Sequence, residues 1–264
     1  MFEETERPMQ FESVRTLVRY VDEDQAIIEI HMALRPFLPS VGGAAPRLDQ
    51  HLAVLLELRS TDGFHDEQIL PLRVRHRRGK VTWDIVRPKR WWPAGMGAQP
   101  LYELKVTLLS ADEWCDHWSS TIGFTSVRTQ RRRAGTLRPH MVLVVNGQKR
   151  DIGQIVVIDR VDEHRLLPAA GDTLLVVRDH YGPNVLYEAA DRAGIMLVQC
   201  VPVHPEGRPE SDVLSEVARL AAHPSLAGWF IGHLGEVSQR LARRLRRLDP
   251  THALITDAAD NCAA

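Results

Sequence analysis

The hydrophobic pattern changes its period near the middle of this chain, and that change constrains the fold more than any other feature. Up to about residue 130, apolar and polar residues alternate, most cleanly at 101–108. Short alternating runs are typical of antiparallel strands with one face in a core. After residue 150, runs that are apolar at every position alternate with helical stretches. Strands with two apolar faces indicate a parallel sheet covered by helices.

This pattern predicts a multidomain β plus α/β protein, with a β-sandwich at 1–133 and an α/β domain at 134–264. The basic segment 130–136 is the predicted linker. Apolar runs follow it at 155–158, 173–177, 194–198, 227–231 and 252–255. A closed (β/α) barrel has eight strands, so about five strands predict an incomplete TIM-type barrel.

Composition argues against several classes of function. The 264 residues carry a formal net charge of −1, which provides no global attraction to nucleic acid or to an anionic membrane. Arginine-rich runs at 73–78, 131–133 and 243–247 lack aromatic interleaving and are interpreted as solvated faces. No run approaches the ~18 apolar residues of a membrane helix. Three cysteines without a CxxC pair indicate a reducing compartment, and the acidic segment 1–6 is not a secretory signal, so a cytoplasmic location is expected.

Several motifs occur in the same order as in one known family. The longest is Trp91–Tyr102, which reads WWPAGMGAQPLY. Others are IGF at 122–124, NG at 146–147, VRDHYGPN at 177–184, HPS at 223–225 and LDPT at 248–251. These segments resemble glycoside hydrolase family 2, the group of β-galactosidases, β-mannosidases and β-glucuronidases. The resemblance covers roughly residues 20–257. It implies an immunoglobulin-like sandwich followed by the first strands of a catalytic barrel.

The resemblance also locates a loss of catalytic residues. The family carries its acid/base glutamate in a W-S-x-G-N-E passage, whereas this chain reads WFIGHL at 229–234. His233 replaces the asparagine and Leu234 replaces the glutamate, and leucine cannot transfer the proton that glycosidic cleavage requires. The family nucleophile lies on barrel strand seven, beyond the five strands predicted here. No catalytic residue is therefore assigned, and Leu234 is a degenerate acid/base position.

Three side chains are predicted to line a retained substrate-binding site at the strand ends: Arg178, His180 and His233. The resemblance implies that Arg178 faces the sugar, and the alternatives are an ion pair with Asp179 or a capped loop. The alternative for His233 is a hydrogen-bonded loop residue. Glu236 is a weak catalytic candidate, and its favoured interpretation is a cap of the helix that follows.

Three further residues have structural interpretations. Trp91 and Trp92 could stack on a sugar ring, but packing between the domains is favoured. Cys200 occupies the strand-three position where the family commonly has an acidic residue, and it is interpreted as a buried thiol. No metal or cofactor is predicted, because His233 has no partner at ligand spacing.

The predicted function is that of a catalytically inactive family 2-like protein that binds a carbohydrate or a protein partner. One alternative is an active glycosidase that cleaves O-glycosyl bonds with a complementing chain or a relocated carboxylate. Another is a structural subunit that completes a barrel. Because five strands cannot close like eight, the outer strands predict a homo-oligomer or a complementing chain. Neither a nucleic acid nor a membrane partner is expected.

Overall fold

The computed structural model describes residues 9–36, 51–131, 141–159, 171–202, 210–231 and 236–256. Within these ranges the chain forms sixteen strands and three helices. The first eight strands are β1 (Met9–Val21), β2 (Gln25–Pro36), β3 (Leu52–Ser60), β4 (His65–Pro71), β5 (Val74–Arg75), β6 (Arg78–Val86), β7 (Tyr102–Ser110) and β8 (Glu113–Ile122). They form two antiparallel sheets, with the strand orders β1-β2-β6-β5 and β4-β3-β7-β8.

The two sheets pack face to face around one hydrophobic core. Ile28 and Ile30 of β2 are fully buried, whereas Glu29 between them is not. Leu104 and Val106 of β7 join the same core from the opposite sheet. Burial of such a side chain contributes about 1.5–3 kcal/mol relative to leaving it exposed. The alternating sequence pattern therefore produces the antiparallel sheets that it predicts.

A smaller sheet follows the sandwich. It consists of β9 (Val127–Arg131), β10 (Met141–Val145) and β11 (Gln148–Arg150), with β10 in the middle. Asn146 and Gly147 connect β10 to β11 with positive φ angles of 49° and 84°, as a type I′ turn requires. The hairpin predicted from Asn-Gly is confirmed. The predicted domain boundary at 133/134 lies outside the described residues, and the division into domains stays a prediction.

The rest of the described chain is a parallel α/β unit. Its strands are β12 (Gln154–Ile158), β13 (Thr173–Val177), β14 (Met196–Cys200), β15 (Leu226–Ile231) and β16 (Ala253–Thr256). They lie side by side in chain order, and every neighbouring pair is parallel. The helices are α1 (Asn184–Ala193), α2 (Glu210–Leu220) and α3 (Glu236–Leu248). None of these three is long and apolar enough to cross a membrane.

Both faces of the parallel sheet are buried, which explains its continuous apolar runs. On one face, Leu175 and Trp229 belong to the core that includes the helices. On the other face, Val176 and Val198 pack in a cluster with Leu143 of the small sheet. The predicted parallel α/β sheet is confirmed. In the described residues it is open, with β12 and β16 at its edges, so the TIM-type barrel stays a prediction.

Candidate functional site

Arg178 directly follows β13, and it forms a paired hydrogen bond with Asp159, which directly follows β12. The Nε and Nη2 atoms of Arg178 lie 2.7 and 2.8 Å from the two carboxylate oxygens of Asp159. The hydrogen bonds from Arg178 lower the pKa of Asp159, and the same bonds raise the pKa of Arg178. Both groups therefore remain charged at neutral pH. They are nearly half exposed, so a ligand in solvent can reach them.

The sequence suggested Asp179 as an alternative ion-pair partner of Arg178. In the structure, this pair is longer and therefore weaker than the pair with Asp159. Asp179 Oδ2 lies 3.9 Å from Arg178 Nε, and the Asp179 side chain is 78% exposed. Its backbone has a φ of 61°, which turns the chain sharply after β13. His180 then folds back, and its Nδ1 donates to the Arg178 carbonyl oxygen at 2.7 Å. Arg178 and His180 thus lie together at the carboxyl end of β13.

Gln199 of β14 holds this turn in place, a role that the sequence did not reveal. Its side chain is fully buried, and its Nε2 donates to the carbonyl oxygens of His180 at 2.8 Å and Cys200 at 2.6 Å. The hydroxyl of Tyr187 donates to Gln199 Oε1, and burial raises the pKa of that hydroxyl. Arg219 of α2 donates to the Gly182 carbonyl oxygen at 2.7 Å. These buried bonds restrict the loop that carries Arg178 and His180.

Cys200 lies on the face of β14 opposite to Gln199, where it is 8% exposed and packs with Met196 and Val198. It forms no disulfide. The buried thiol expected from the sequence is therefore present.

The other predicted residues of the site cannot be placed. His233 and Leu234 lie outside the described residues, and Glu236 begins α3 with its side chain also outside them. Their roles stay predictions. In the part of the chain that the structure describes, no group of three or more His, Cys, Asp or Glu side chains could hold a metal ion.

The motif residue Trp91 has a structural role, as expected. It is fully buried, and its Nε1 donates to the Asp191 carbonyl oxygen at 2.8 Å, which ties the sandwich segment to α1. The Asp191 carboxylate accepts a hydrogen bond from His223 Nδ1 at 2.6 Å and another from the Ser225 backbone at 3.1 Å. Trp92 is partly exposed and lies under the Arg90 guanidinium, 5.1 Å from the ring centroid. The most specific sequence motifs thus join elements of the fold.

The architecture and the residues at the strand ends indicate a ligand-binding α/β protein. A β-sandwich leads into parallel β/α units that carry polar side chains at their carboxyl ends, where α/β proteins place their ligands. Residues 49–124 match the family model for Glycosyl hydrolases family 2. This match and the relatives described next show that the chain is similar to glycoside hydrolase family 2.

Two curated relatives cover much of the chain. An exo-β-D-glucosaminidase of Streptomyces avermitilis is 25% identical over an alignment of 174 residues, and the match covers 56% of this chain and 19% of the relative. β-Mannosidase A of Emericella nidulans is 24% identical over an alignment of 203 residues, and the match covers 65% of this chain and 21% of the relative. This chain therefore spans about a fifth of the length of these relatives.

Solved structures show the same fold. The β-D-mannosidase of Dictyoglomus thermophilum superimposes with a TM-score of 0.71 at 21% identity, and the match covers 94% of this chain and 34% of that one. A family 2 protein of Bacteroides cellulosilyticus gives a TM-score of 0.68 at 19% identity, with 94% and 36% of the two chains covered. The arrangement of sandwich, hairpin and parallel strands is thus shared with larger proteins.

Proposed function

We propose that this chain is a family 2 protein that binds a saccharide at the carboxyl ends of β12, β13 and β14 without hydrolysing it. The curated relatives include an exo-β-D-glucosaminidase and a β-mannosidase, which supports a saccharide as the ligand class. The five parallel strands correspond in this proposal to part of a (β/α) barrel, after an immunoglobulin-like sandwich.

The observation that supports binding without hydrolysis is that Asp159 is charged and paired with Arg178. A retaining glycosidase needs a proton donor whose pKa is raised and a second carboxylate about 5–5.5 Å away. The hydrogen bonds from Arg178 instead lower the pKa of Asp159 and occupy both of its oxygens. Asp179, which follows the next strand, is 78% exposed rather than enclosed in an apolar pocket. Leu234, at the position that the resemblance assigns to the acid/base glutamate, also supports a protein without hydrolytic activity.

The same groups suit sugar binding. The Arg178–Asp159 pair presents N–H donors and carboxylate acceptors to solvent, and sugar hydroxyls can bond to both. The buried Gln199 restricts the loop before a ligand arrives, which lowers the entropic cost of binding.

Hydrolysis and binding assays test the proposal. The purified chain should release no nitrophenol from nitrophenyl β-galactoside, β-mannoside, β-glucoside, β-glucuronide or β-glucosaminide. In calorimetry, a sugar that binds the wild type should bind Arg178→Ala about tenfold more weakly, the loss expected for a charge-assisted hydrogen bond. Arg192→Ala is the matched control, because Arg192 is an exposed arginine of α1.

Two results would contradict the proposal. Turnover that Glu236→Gln abolishes would assign catalysis to Glu236. Equal sugar affinity in the wild type and Arg178→Ala would remove Arg178 from the site.

A second candidate function is that of a subunit that pairs with another chain. It is favoured by β12, an edge strand of the parallel sheet, whose Ile155 and Val157 side chains are 48% and 36% exposed. Exposed apolar residues on an edge strand favour pairing with a further strand.

A further inference from the structure

A cleft lies at the opposite end of the parallel strands from the Arg178 site. Its volume is about 180 Å³, several times the share of a single water molecule, which is roughly 30 Å³. Its wall comes from β1, from residues 123–128, and from the loops that lead into β15 and β16. The cleft therefore separates the sandwich from the amino ends of the last two strands.

Two histidines of this cleft are oriented by buried aspartates. His223 precedes β15, and its Nδ1 lies 2.6 Å from Asp191. His252 precedes β16, and its Nδ1 lies 2.7 Å from Asp249. The two aspartate side chains are at most 1% exposed, so neither is in the cleft wall. In each imidazole the aspartate binds Nδ1, so Nε2 is the ring nitrogen left for a ligand.

Two arginines line the cleft, one from the sandwich and one from the small sheet that follows it. Arg19 belongs to β1, and its ion pair with Glu29 among the described residues is a long one, 3.7 Å. Arg128 belongs to β9, is exposed, and forms no ion pair with the carboxylates of the described ranges. Thr125, Ser126 and Thr251 add hydroxyl groups to the wall, and no carboxylate is among the lining residues. The wall is thus rich in donors and in positive charge.

From this lining we propose that the cleft binds a compact tetrahedral oxyanion, as free sulfate or phosphate or as the phosphate ester of a small molecule. Guanidinium groups form paired hydrogen bonds with such oxygens, and an imidazole N–H group can donate to them. The bound anion would contact Arg19 of the sandwich and Arg128 of the small sheet on one side, and His223 and His252 of the α/β unit on the other. It would therefore stabilise the packing of the two parts against each other in proportion to its concentration.

Calorimetric titration with sodium sulfate tests this site, with sodium chloride adjusted to keep the ionic strength constant. Wild type should bind one sulfate in a saturable manner, and Arg128→Ala and His252→Gln should each weaken binding about tenfold or more. Arg59→Ala is the matched control, because Arg59 is an exposed arginine of the opposite sheet. Parallel titrations with inorganic phosphate and glucose 6-phosphate separate a free anion from an ester.

Loss of affinity in both variants with unchanged binding by Arg59→Ala would support the site. Absence of saturable sulfate binding by the wild type would overturn it, as would equal affinity in the wild type and Arg128→Ala.

Arg128 is exposed, so its variant is expected to fold even if His252→Gln does not. Circular dichroism in chloride buffer checks that both variants are folded. The saccharide proposal concerns Arg178 at the other strand ends, so either proposal can fail without the other.

Discussion

Asp249 shows how a single buried carboxylate organises the loop before β16. It is fully buried, and its oxygens accept hydrogen bonds from Trp229 Nε1 at 2.7 Å, from the Thr251 backbone at 3.1 Å and from His252 Nδ1 at 2.7 Å. Burial alone would raise the pKa of Asp249. The His252 charge and the hydrogen bonds from His252, Thr251 and Trp229 outweigh burial, so the pKa lies below the ordinary 3.8. Asp249 is therefore charged in the folded protein.

We expect Asp249→Asn to lower the free energy of unfolding by about 3 kcal/mol at pH 7, because it breaks a buried pair. A carboxyl whose pKa is lower in the folded state stabilises the fold above its unfolded pKa, here near 3.8. That contribution falls as the pH drops below 3.8 toward the folded pKa. Urea unfolding at pH 7 and pH 3 should therefore show a smaller difference between wild type and variant at pH 3. Asp84→Asn, at an exposed site of β6, is the control. An equal difference at both pH values would contradict the assignment.

At the scale of elements, two glycines have left-handed backbone conformations, one in a turn and one at the end of a helix. Gly147 ends the turn between β10 and β11 with a φ of 84°, and no atom lies within 4 Å of the Cβ that it lacks. Gly194 caps α1 with a φ of 71°, and a Cβ there would lie 2.5 Å from the backbone nitrogen of Ala94. That nitrogen donates to the Gly194 carbonyl oxygen at 2.9 Å. Backbone conformation alone requires Gly147, whereas Gly194 also permits a close contact between segments.

These two positions allow a paired prediction. Gly147→Ala should lower the free energy of unfolding by about 1 kcal/mol, the cost of left-handed backbone for a residue with a Cβ. Gly194→Ala should cost about 1–3 kcal/mol more, because the new methyl group must also push Ala94 away. Urea denaturation of the two variants and the wild type measures both values. Equal losses would show that the contact between Gly194 and Ala94 adjusts without cost.

At the scale of the whole molecule, the parallel sheet combines buried faces with an accessible edge. β12 pairs with β13 on one side, and the described residues provide no strand on its other side. Ile155 and Val157 lie on this strand with 48% and 36% of their surfaces exposed. Such an edge offers unpaired backbone groups next to apolar side chains, which is the geometry that favours strand addition.

We therefore expect the chain to self-associate through this edge, and Ile155→Lys to reduce the association, because an edge lysine opposes strand pairing. Light scattering across a concentration series should give a mass above 29.8 kDa for wild type and a mass near 29.8 kDa for Ile155→Lys. Val185→Lys is the matched control, because Val185 is an exposed apolar residue of α1. A strictly monomeric wild type would refute the expectation.

The sequence by itself determined the local structures and the resemblance to a known family. Alternation predicted the sandwich, two-sided apolar runs predicted the parallel sheet, and Asn146-Gly147 predicted the turn, because each depends on residues close together in the chain. Only the tertiary structure decided the site. Sequence adjacency favoured Asp179 as the partner of Arg178, but the main partner is Asp159, 19 residues earlier. Likewise, Gln199 restrains the His180 loop from the next strand. Parallel pairing brings distant strand ends to one edge, and no local pattern encodes which side chains then meet there.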